Sequence, residues 1–424
     1  TGSARQFTDD GTRNEGFIWS DDGAQIAWSF VPNAEPNYDI MVSGADGSQR
    51  RRVLDAEGAV YPADFSADGR MLLLQRYISI AETQMSLLDI ATGQVTRLTP
   101  DISVSYQAGE FTPDGRAIIT LSDEGAQFQR LVRIDVASGA RTVLTPGLSW
   151  NVESFDLSPD GRTIAYVVNE AGRSALRLME ARTLRALPAP VLAPGIVSGV
   201  EFDAESRRIG FTLNSATAPG DVYSWDLRAR RLTRWTQSET GGIPGSTFVD
   251  PELISWRSFD GLEITGFLYR PRTPGPHPVV IQIHGGPESQ FRPGFSPTIQ
   301  YWVNELGIAV IAPNVRGSDG YGRDFLALDN AEKREDSVRD IGALLDWIDA
   351  QANLDSERVM VYGGSYGGYM VLASMTHYND RLAGGVNIVG ISSFITFLEN
   401  TSGYRRDLRR AEYGDEREPQ MRAV

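Results

Sequence analysis

The sequence predicts a two-domain fold, in which an all-β domain of repeated units precedes a domain of alternating strands and helices. Near the C-terminus, a serine lies in the turn between a strand-like and a helix-like run, which is the arrangement of the nucleophile elbow in an α/β-hydrolase. In the N-terminal half, an apolar residue, Ser or Thr, a variable residue and Asp-Gly recur every 46 residues, starting at Trp19, Phe65, Phe111 and Leu157.

The repeat predicts a β-propeller. A weaker copy starts at Phe202, 45 residues after Leu157. Periods of about 40–50 residues with four strand-like runs in each unit are typical of propeller blades. About five blades are therefore visible, in a propeller that we expect to be incomplete at its N-terminus.

The two domains are predicted to meet in the polar, Gly-rich stretch 236–245. We place the propeller at residues 1–240 and the α/β-hydrolase domain at residues 241–424. The second domain begins with a predicted β-hairpin that leads into a doubly wound sheet. We expect this sheet to be truncated after the elbow helix and the next strand, Val386–Val389.

The elbow serine is Ser365, in the run Gly-Gly-Ser-Tyr-Gly at 363–367. A strand-like run, Arg358–Tyr362, precedes it, and a helix-like run, Tyr369–Met375, follows. Glycines on both sides permit the strained backbone that pushes the serine oxygen out of the turn. The alternative is an ordinary Gly-rich loop between a strand and a helix. The flanking elements favour Ser365 as a catalytic nucleophile.

An oxyanion hole is predicted from a second segment, where a buried strand, Pro278–Ile283, ends in His-Gly-Gly-Pro. In α/β-hydrolases a loop at this place donates one backbone N–H, and the residue after the nucleophile donates the other. We therefore predict Gly286 and Tyr366 as the donor pair. His284 is expected to hold the loop by hydrogen bonding. A simple turn is the alternative.

Three motifs in this order resemble the prolyl oligopeptidase family of serine peptidases, within it most closely the acylaminoacyl-peptidase and dipeptidyl-peptidase-like branch. They are His-Gly-Gly-Pro-Glu-Ser-Gln at 284–290, Ala-Pro-Asn-Val-Arg-Gly-Ser-Asp-Gly-Tyr-Gly at 312–322 and Gly-Gly-Ser-Tyr-Gly-Gly-Tyr at 363–369. The resemblance implies that Ser365 is acylated and that Tyr366 and Gly286 form the oxyanion hole. It also implies short peptide substrates, admitted past a propeller that caps the site. No cofactor is expected.

The catalytic triad departs from the family pattern. The order in α/β-hydrolases is Ser, then Asp or Glu, then His, but only 59 residues follow Ser365. The three histidines are His277, His284 and His377, and none suits the base. We therefore expect a fragment of a longer enzyme that lacks the triad Asp and His and roughly two blades. Little or no turnover is expected from the 424-residue chain alone.

Aligning the blades brings Asp64, Glu110 and Asp156 to one equivalent position, with Glu201 one residue out of phase. The position lies in the strand before the Asp-Gly turn, which is usually the innermost strand of a blade. An acidic ring there would attract peptides with cationic N-termini. The alternative is that these carboxylates are solvated surface groups without a ligand role.

Composition limits the partners. A net charge of −15 argues against nucleic acid, whose phosphates need a basic surface. The absence of cysteine excludes disulfides and thiolate metal sites, and three histidines without an H-E-x-x-H motif argue against a metal centre. No run of 18 apolar residues predicts a membrane span. A cytoplasmic and a periplasmic or secreted location both stay open, as does homo-oligomerisation.

Two other functions stay open at this point. An esterase would use the same elbow and oxyanion hole, because serine acyl transfer serves both esters and amides. A non-catalytic propeller binding protein with an inactive hydrolase domain would also fit a chain without a triad histidine. The propeller argues against the esterase, and the intact elbow argues against the inactive domain.

Overall fold

The computed structural model describes residues 6–8, 11–32 and 37–422. The N-terminal part consists of four-stranded antiparallel sheets, and the C-terminal part holds one six-stranded mixed sheet with helices. This architecture confirms the predicted β-propeller followed by an α/β-hydrolase domain. Among the described residues, no helix is both long and apolar enough to cross a membrane.

Within the described residues the propeller has five blades, and each blade is a meander whose strands pair in chain order. The strands of the first three blades are β1 Thr12–Trp19, β2 Gln25–Pro32, β3 Asp39–Gly44, β4 Arg51–Leu54, β5 Ala59–Phe65, β6 Met71–Ser79, β7 Glu82–Asp89, β8 Val95–Arg97, β9 Tyr106–Phe111, β10 Ala117–Ser122, β11 Arg130–Asp135 and β12 Arg141–Val143. Those of the last two are β13 Val152–Leu157, β14 Thr163–Glu170, β15 Arg173–Glu180, β16 Ala186–Leu187, β17 Ile196–Phe202, β18 Arg208–Ser215, β19 Ala218–Asp226 and β20 Arg231–Arg234.

The repeated motif builds the contact between blades. Phe65, the apolar residue before the second Asp-Gly turn, is buried in one cluster with Ile40 of the first blade and Leu72 of its own. In the turn that follows, the Ser66 hydroxyl donates to Asp68 at 2.7 Å, and Gly69 takes a φ of +66°. Glycine adopts this left-handed conformation without a steric penalty. The motif thus combines an inter-blade core residue with a tight turn.

The carboxylates of the predicted acidic ring also join neighbouring blades. Each accepts a hydrogen bond from a backbone N–H of the next blade. The pairs and their distances are Asp64 with Phe111 at 2.7 Å, Glu110 with Leu157 at 3.0 Å and Asp156 with Phe202 at 2.6 Å. Burial raises the pKa of Asp64 to about 7 and that of Asp156 to about 6. Burial and the charge of Asp156 also raise the pKa of Glu110 well above its usual range.

The hydrolase domain is built on one sheet with the strand order β21-β22-β24-β23-β25-β26. The first two strands form the predicted hairpin, and β23 to β26 run parallel to one another. The elements are β21 Glu252–Arg257, β22 Glu263–Tyr269, β23 His277–Ile283, α1 Pro297–Asn304, β24 Ala309–Asn314, α2 Arg323–Leu326, α3 Arg334–Asp349, β25 Leu354–Gly364, α4 Tyr366–His377, β26 Gly384–Ile388, α5 Phe394–Asn400, α6 Gly403–Tyr413 and α7 Pro419–Arg422.

Helices cover both faces of this sheet, as a doubly wound fold requires. On one face Ile281 and Ile311 pack with α3 and α4 in the largest hydrophobic cluster. On the other face Phe267 and Val310 pack against Ile299 of α1. The domain boundary at 240 stays a prediction; β20 ends at Arg234 and β21 begins at Glu252.

Polar contacts dock the propeller on the carboxyl edge of the sheet. Arg292, from the loop after β23, donates to both carboxylate oxygens of Glu153 at 2.9 and 2.8 Å and to the Gly172 carbonyl at 3.0 Å. The Asn169 amide donates to Gln290 at 2.7 Å. Because charge-assisted hydrogen bonds are short and strong, these contacts orient the fourth blade over the loop.

The raised pKa values predict how pH affects stability. A carboxyl group whose pKa is higher in the folded state stabilises the fold when it is protonated, and this contribution is lost as pH rises through the folded-state pKa. For Asp64 the loss falls between its ordinary value of 3.8 and about 7. Asn at position 64 cannot ionise and can still accept from Phe111. We therefore expect Asp64→Asn to lose a few degrees less in melting temperature than the parent between pH 5 and pH 8.

Thermal unfolding at the two pH values checks this prediction. Glu57→Gln, which removes an exposed charge from the loop before β5, is the matched control and should follow the parent. An equal drop in melting temperature for Asp64→Asn and the parent would contradict the assignment.

Candidate active site

Ser365 lies at the carboxyl end of β25, between β23 and β26 in the sheet, and immediately before α4. Its backbone has φ 56° and ψ −120°, a left-handed conformation that is strained for serine. Its N–H donates to the Ile388 carbonyl at 3.0 Å, which ties the turn to β26. The residue is exposed in the described structure. These features are those of a nucleophile elbow, in which the hydroxyl projects from the top of the sheet.

The glycines of the elbow are required by close packing. A Cβ on Gly363 would lie 2.4 Å from the Gly367 carbonyl oxygen, and a Cβ on Gly367 would lie 2.3 Å from the Ile283 carbonyl oxygen. A Cβ on Gly368 would meet the Cα of Gly390 at 2.5 Å. No side chain fits at these distances, because carbon and oxygen atoms in contact stay more than 3 Å apart. The first turn of α4 therefore rests directly on the neighbouring backbone.

Parallel pairing brings the His-Gly-Gly loop beside the elbow. Ile283, the last residue of β23, pairs with Gly363 of β25. A Cβ on Gly285 would lie 3.6 Å from the Cβ of Ser365, so the loop lies beside the serine. Gly286 follows with a φ of +130°, which other residues rarely adopt. The two segments that were predicted to form the oxyanion hole are thus adjacent.

Tyr366 is the first residue of α4. The first N–H groups of a helix have no acceptor within the helix, and they carry its positive dipole end. The backbone of Tyr366 is therefore suited to donate to a developing anion beside Ser365, while its side chain is buried. The hydroxyl of Tyr366 lies 2.9 Å from Ser337 Oγ and donates to Asp329 at 3.2 Å.

His284 holds the loop, as predicted. Its Nδ1 lies 2.7 Å from the Gly285 carbonyl oxygen, and its Nε2 lies 2.9 Å from Ser318 Oγ. A carbonyl only accepts, so Nδ1 carries the proton and Nε2 accepts from the serine hydroxyl. Burial lowers the pKa of His284, which keeps the ring neutral.

The other two histidines are also engaged elsewhere. The ring nitrogens of His277 contact the carbonyl oxygens of Gly307 and Thr273 at 3.0 and 2.9 Å. His377, at the far end of α4, pairs with Glu335 at 2.8 Å. In the described part of the chain, therefore, each histidine has partners other than Ser365.

Two further side chains at the site were not predicted from the sequence. The hydroxyl of Tyr413, from the end of α6, donates to the Gly286 carbonyl at 3.0 Å. Arg334, the first residue of α3, donates to Asp329 at 2.6 Å. The sequence contains no motif for either contact, because both depend on how α3 and α6 pack beside the elbow.

An aromatic pocket of about 310 Å³ opens beside α4. The rings of Tyr369 and Phe394 are 4.6 Å apart, and those of Phe394 and Tyr413 are 5.0 Å apart. Arg334 and Glu335 line the same pocket. Its wall is suited to an apolar or aromatic group that carries a polar end.

A second cavity, of about 340 Å³, lies between the domains. Its wall combines Glu153 and Asn169 of the propeller with Glu288, Gln290 and Arg292 of the hydrolase domain. Burial and the neighbouring charge of Glu412 raise the pKa of Glu288 to about 8. Because Glu288 follows Gly286 by two residues, this polar cavity reaches the predicted oxyanion loop.

A pocket of about 470 Å³ lies on the outer face of the hydrolase domain, between β21 and α3. Trp256, Phe259 and Trp347 line it together with Arg339. Although it is larger than the two cavities above, none of the predicted site residues lines it. The other two cavities are nearer the elbow in sequence and structure, because Tyr369 of α4 lines the aromatic pocket and Glu288, two residues after Gly286, lines the cavity between the domains.

Known peptidases are similar to this chain in sequence. Residues 293–423 match the profile of the prolyl oligopeptidase family. The dipeptidyl aminopeptidase BIII of Pseudoxanthomonas mexicana is 30% identical over 247 residues, which are 56% of this chain and 34% of that protein. Dipeptidyl peptidase family member 6 of Caenorhabditis elegans is 33% identical over 137 residues, or 31% of this chain and 18% of that protein. The chain thus spans about a third or less of these relatives.

Solved structures show the same fold. A puromycin-hydrolysing peptidase of Mycobacterium tuberculosis superposes with a TM-score of 0.83 at 19% identity, over 96% of this chain and 66% of that chain. A structure from a study of two prolyl endopeptidases gives a TM-score of 0.80 at 18% identity, over 98% and 70% of the chains. At such identities the likeness concerns the fold. The resemblance noted from the three sequence motifs is confirmed by the family match.

Proposed function

We propose, from the premise that this chain resembles the prolyl oligopeptidase family in sequence and in fold, that it belongs to a serine peptidase of short peptides. Acyl transfer through Ser365 is the proposed reaction. The observation that carries the proposal is the proximity of two independent segments: an exposed serine on a strained turn and a Gly-rich loop whose Gly285 lies beside it. This pairing of nucleophile and loop is the core of acyl-transfer sites.

The reaction has two steps. A base takes the proton from Ser365, its oxygen attacks the scissile carbonyl carbon, and the amine leaves with a proton from the base. Water then attacks the acyl-enzyme and releases the acid and the free serine. Because His277, His284 and His377 have other partners, the proposal assigns the base to a histidine outside these 424 residues.

The oxyanion of each tetrahedral intermediate is proposed to receive the N–H groups of Tyr366 and Gly286. Fixed backbone donors are effective because they need no reorganisation as the charge develops. Two features support this assignment: Tyr366 begins a helix, and Gly286 lies in a loop that His284 holds by hydrogen bonds on both ring nitrogens.

Short peptides are the proposed substrates. The propeller docks on the carboxyl edge of the sheet through Arg292 and its partners, and a cavity of about 340 Å³ separates the two domains there. A cavity of this size holds a few residues and excludes a folded protein. The aromatic pocket beside α4 is a suitable place for a substrate side chain.

The acidic ring is proposed to attract the cationic N-terminus of such peptides. Asp64, Glu110 and Asp156 lie close enough that the charge of each neighbour raises the pKa of Glu110. A group of like carboxylates focuses a negative potential. Their raised pKa values make the attraction stronger as pH rises above 7, when more of them are ionised.

The two alternatives gain no support. The relatives with curated names are peptidases, which argues against an esterase. The strained backbone of Ser365 and the glycine contacts around it are retained, which argues against a binding protein with an inactive hydrolase domain.

Replacing the nucleophile tests the proposal. Ser365→Ala in the full-length enzyme should lower kcat for a short peptide by about 10³-fold or more, because covalent catalysis is lost. The melting temperature should stay close to that of the parent, since the serine side chain is exposed. Ser255→Ala, on an exposed position of β21, is the matched control and should keep full activity. Near-normal turnover by Ser365→Ala would refute the assignment.

The acidic ring has its own test. Asp64→Asn, Glu110→Gln and Asp156→Asn are combined in the full-length enzyme, and kcat/KM is measured for one short peptide with a free and with an acetylated N-terminus. Electrostatic attraction predicts that only the free peptide loses rate, and that its dependence on salt weakens. Equal changes in kcat/KM for both peptides would contradict the attraction, and the carboxylates would then serve only to hydrogen-bond neighbouring blades.

A further inference from the structure

Both proposed oxyanion donors are connected to the same buried arginine, Arg334. One donor is Tyr366, whose ring is buried and whose hydroxyl contacts Asp329 and Ser337. The other is Gly286, whose carbonyl accepts from Tyr413 at 3.0 Å. The guanidinium of Arg334 lies beside both tyrosines, 5.3 Å from the ring centre of Tyr366 and 5.2 Å from that of Tyr413, and the two ring centres are 6.3 Å apart.

On the Tyr366 side, the ion pair between Arg334 and Asp329 also holds the tyrosine hydroxyl. Arg334 donates to Asp329 Oδ2 at 2.6 Å, and the same oxygen accepts from the Tyr366 hydroxyl at 3.2 Å. Ser337, one turn along α3, contacts that hydroxyl at 2.9 Å. The side chain of Tyr366 is thus held at its ring face and at its hydroxyl, which fixes the start of α4 from within the domain.

On the Tyr413 side, Arg334 donates to the carbonyl of Glu412 at 2.7 Å. This bond holds the end of α6, the helix that delivers Tyr413 to the Gly286 carbonyl. The Tyr413 ring also packs against Phe394 and Phe397, with ring centres 5.0 and 5.5 Å apart. The position of the Gly286 peptide therefore depends on α6 through Tyr413.

The chemistry of arginine suits this place. Its planar guanidinium donates in several directions while its faces contact aromatic rings, and the ammonium of lysine cannot do both. Arg334 and Asp329 are 3% and 0% exposed, so their pairing is weakly screened by solvent. A buried pair costs desolvation and is weak evidence for stability alone. Arg334 contacts Tyr366 on one side of the proposed oxyanion hole and Tyr413 on the other, which indicates a role in positioning the two donors.

We infer that Arg334 is a positioning residue that couples the two halves of the oxyanion hole, through Tyr366 on one side and through Tyr413 on the other. The inference rests on the proposed function. Arg334 fixes the distance between the Tyr366 and Gly286 N–H groups. This distance determines how well the two groups stabilise the oxyanion in the transition state. Arg334 and Tyr413 also line the aromatic pocket. Replacing a tyrosine by phenylalanine keeps Arg334 and every ring of that pocket, so such variants should preserve substrate binding in the ground state.

Conservative variants of the two tyrosines test the inference in the full-length enzyme. Tyr413→Phe keeps the ring packing and removes only the hydrogen bond to Gly286, and Tyr366→Phe removes only the bond to Asp329 and Ser337. We expect each to lower kcat by about tenfold, the effect of roughly one misplaced hydrogen bond. KM should change less than twofold. The affinity for a peptide boronic acid, which forms a tetrahedral adduct with the serine, should fall by the same factor as kcat.

Tyr321→Phe is the matched control, because it also removes a tyrosine hydroxyl with two hydrogen-bond partners. These partners are Thr265 of β22 and Asn314 of β24, and within the described residues neither hydrogen-bonds to Tyr366 or Tyr413. It should keep kcat and boronate affinity. Arg334→Lys should resemble the two tyrosine variants combined, and its melting temperature shows whether folding is preserved. If Tyr413→Phe and Tyr366→Phe both keep kcat within twofold of the parent, the inference is overturned. A parent enzyme that cleaves no peptide overturns instead the proposed function, and with it this inference.

Discussion

The contact of the first turn of α4 with β23 and β25 is the constraint on which the site depends. A Cβ at Gly367 would lie 2.3 Å from the Ile283 carbonyl oxygen, so the helix backbone lies very close to β23. This close packing fixes the place of the first turn of α4. That place sets the strained backbone of Ser365, directs its side chain out of the sheet and brings it against Gly285. A side chain at Gly367 would force the helix outwards and separate the nucleophile from the oxyanion loop. Close backbone packing therefore precedes the chemistry.

Around this contact the structure adds layers of support that differ in chemistry. His284 holds the oxyanion loop from below by hydrogen bonds, and Arg334 connects the buried sides of the two donors. Arg292 fixes the propeller above. In the propeller itself, carboxylates such as Asp64 both join neighbouring blades and carry raised pKa values. The same groups therefore stabilise the ring best when neutral and attract cations best when ionised, so pH shifts the balance between these roles.

Much of this could be predicted from the sequence, because the informative patterns are local. The 46-residue repeat and the glycines around Ser365 specify backbone geometry within a few residues, and both predictions agree with the structure. Arg334 and Tyr413 could not be predicted. Their contacts depend on the path of α3 and α6 back to the elbow, and no local pattern records that path. Likewise, blade alignment found Asp64 and its equivalents, but their bonds to the next blade needed the three-dimensional stagger of the strands.

The proposed reaction requires that Ser365 forms the acyl-enzyme. The most direct measurement is mass spectrometry of the full-length enzyme quenched in acid during turnover of an activated ester of a short peptide, followed by peptide mapping. We expect an added peptidyl mass on the tryptic segment that contains Ser365, which appears within the first turnover and disappears as the substrate is consumed. A substrate that is cleaved at the same rate without any mass added to this segment, or with the mass on another residue, would contradict it.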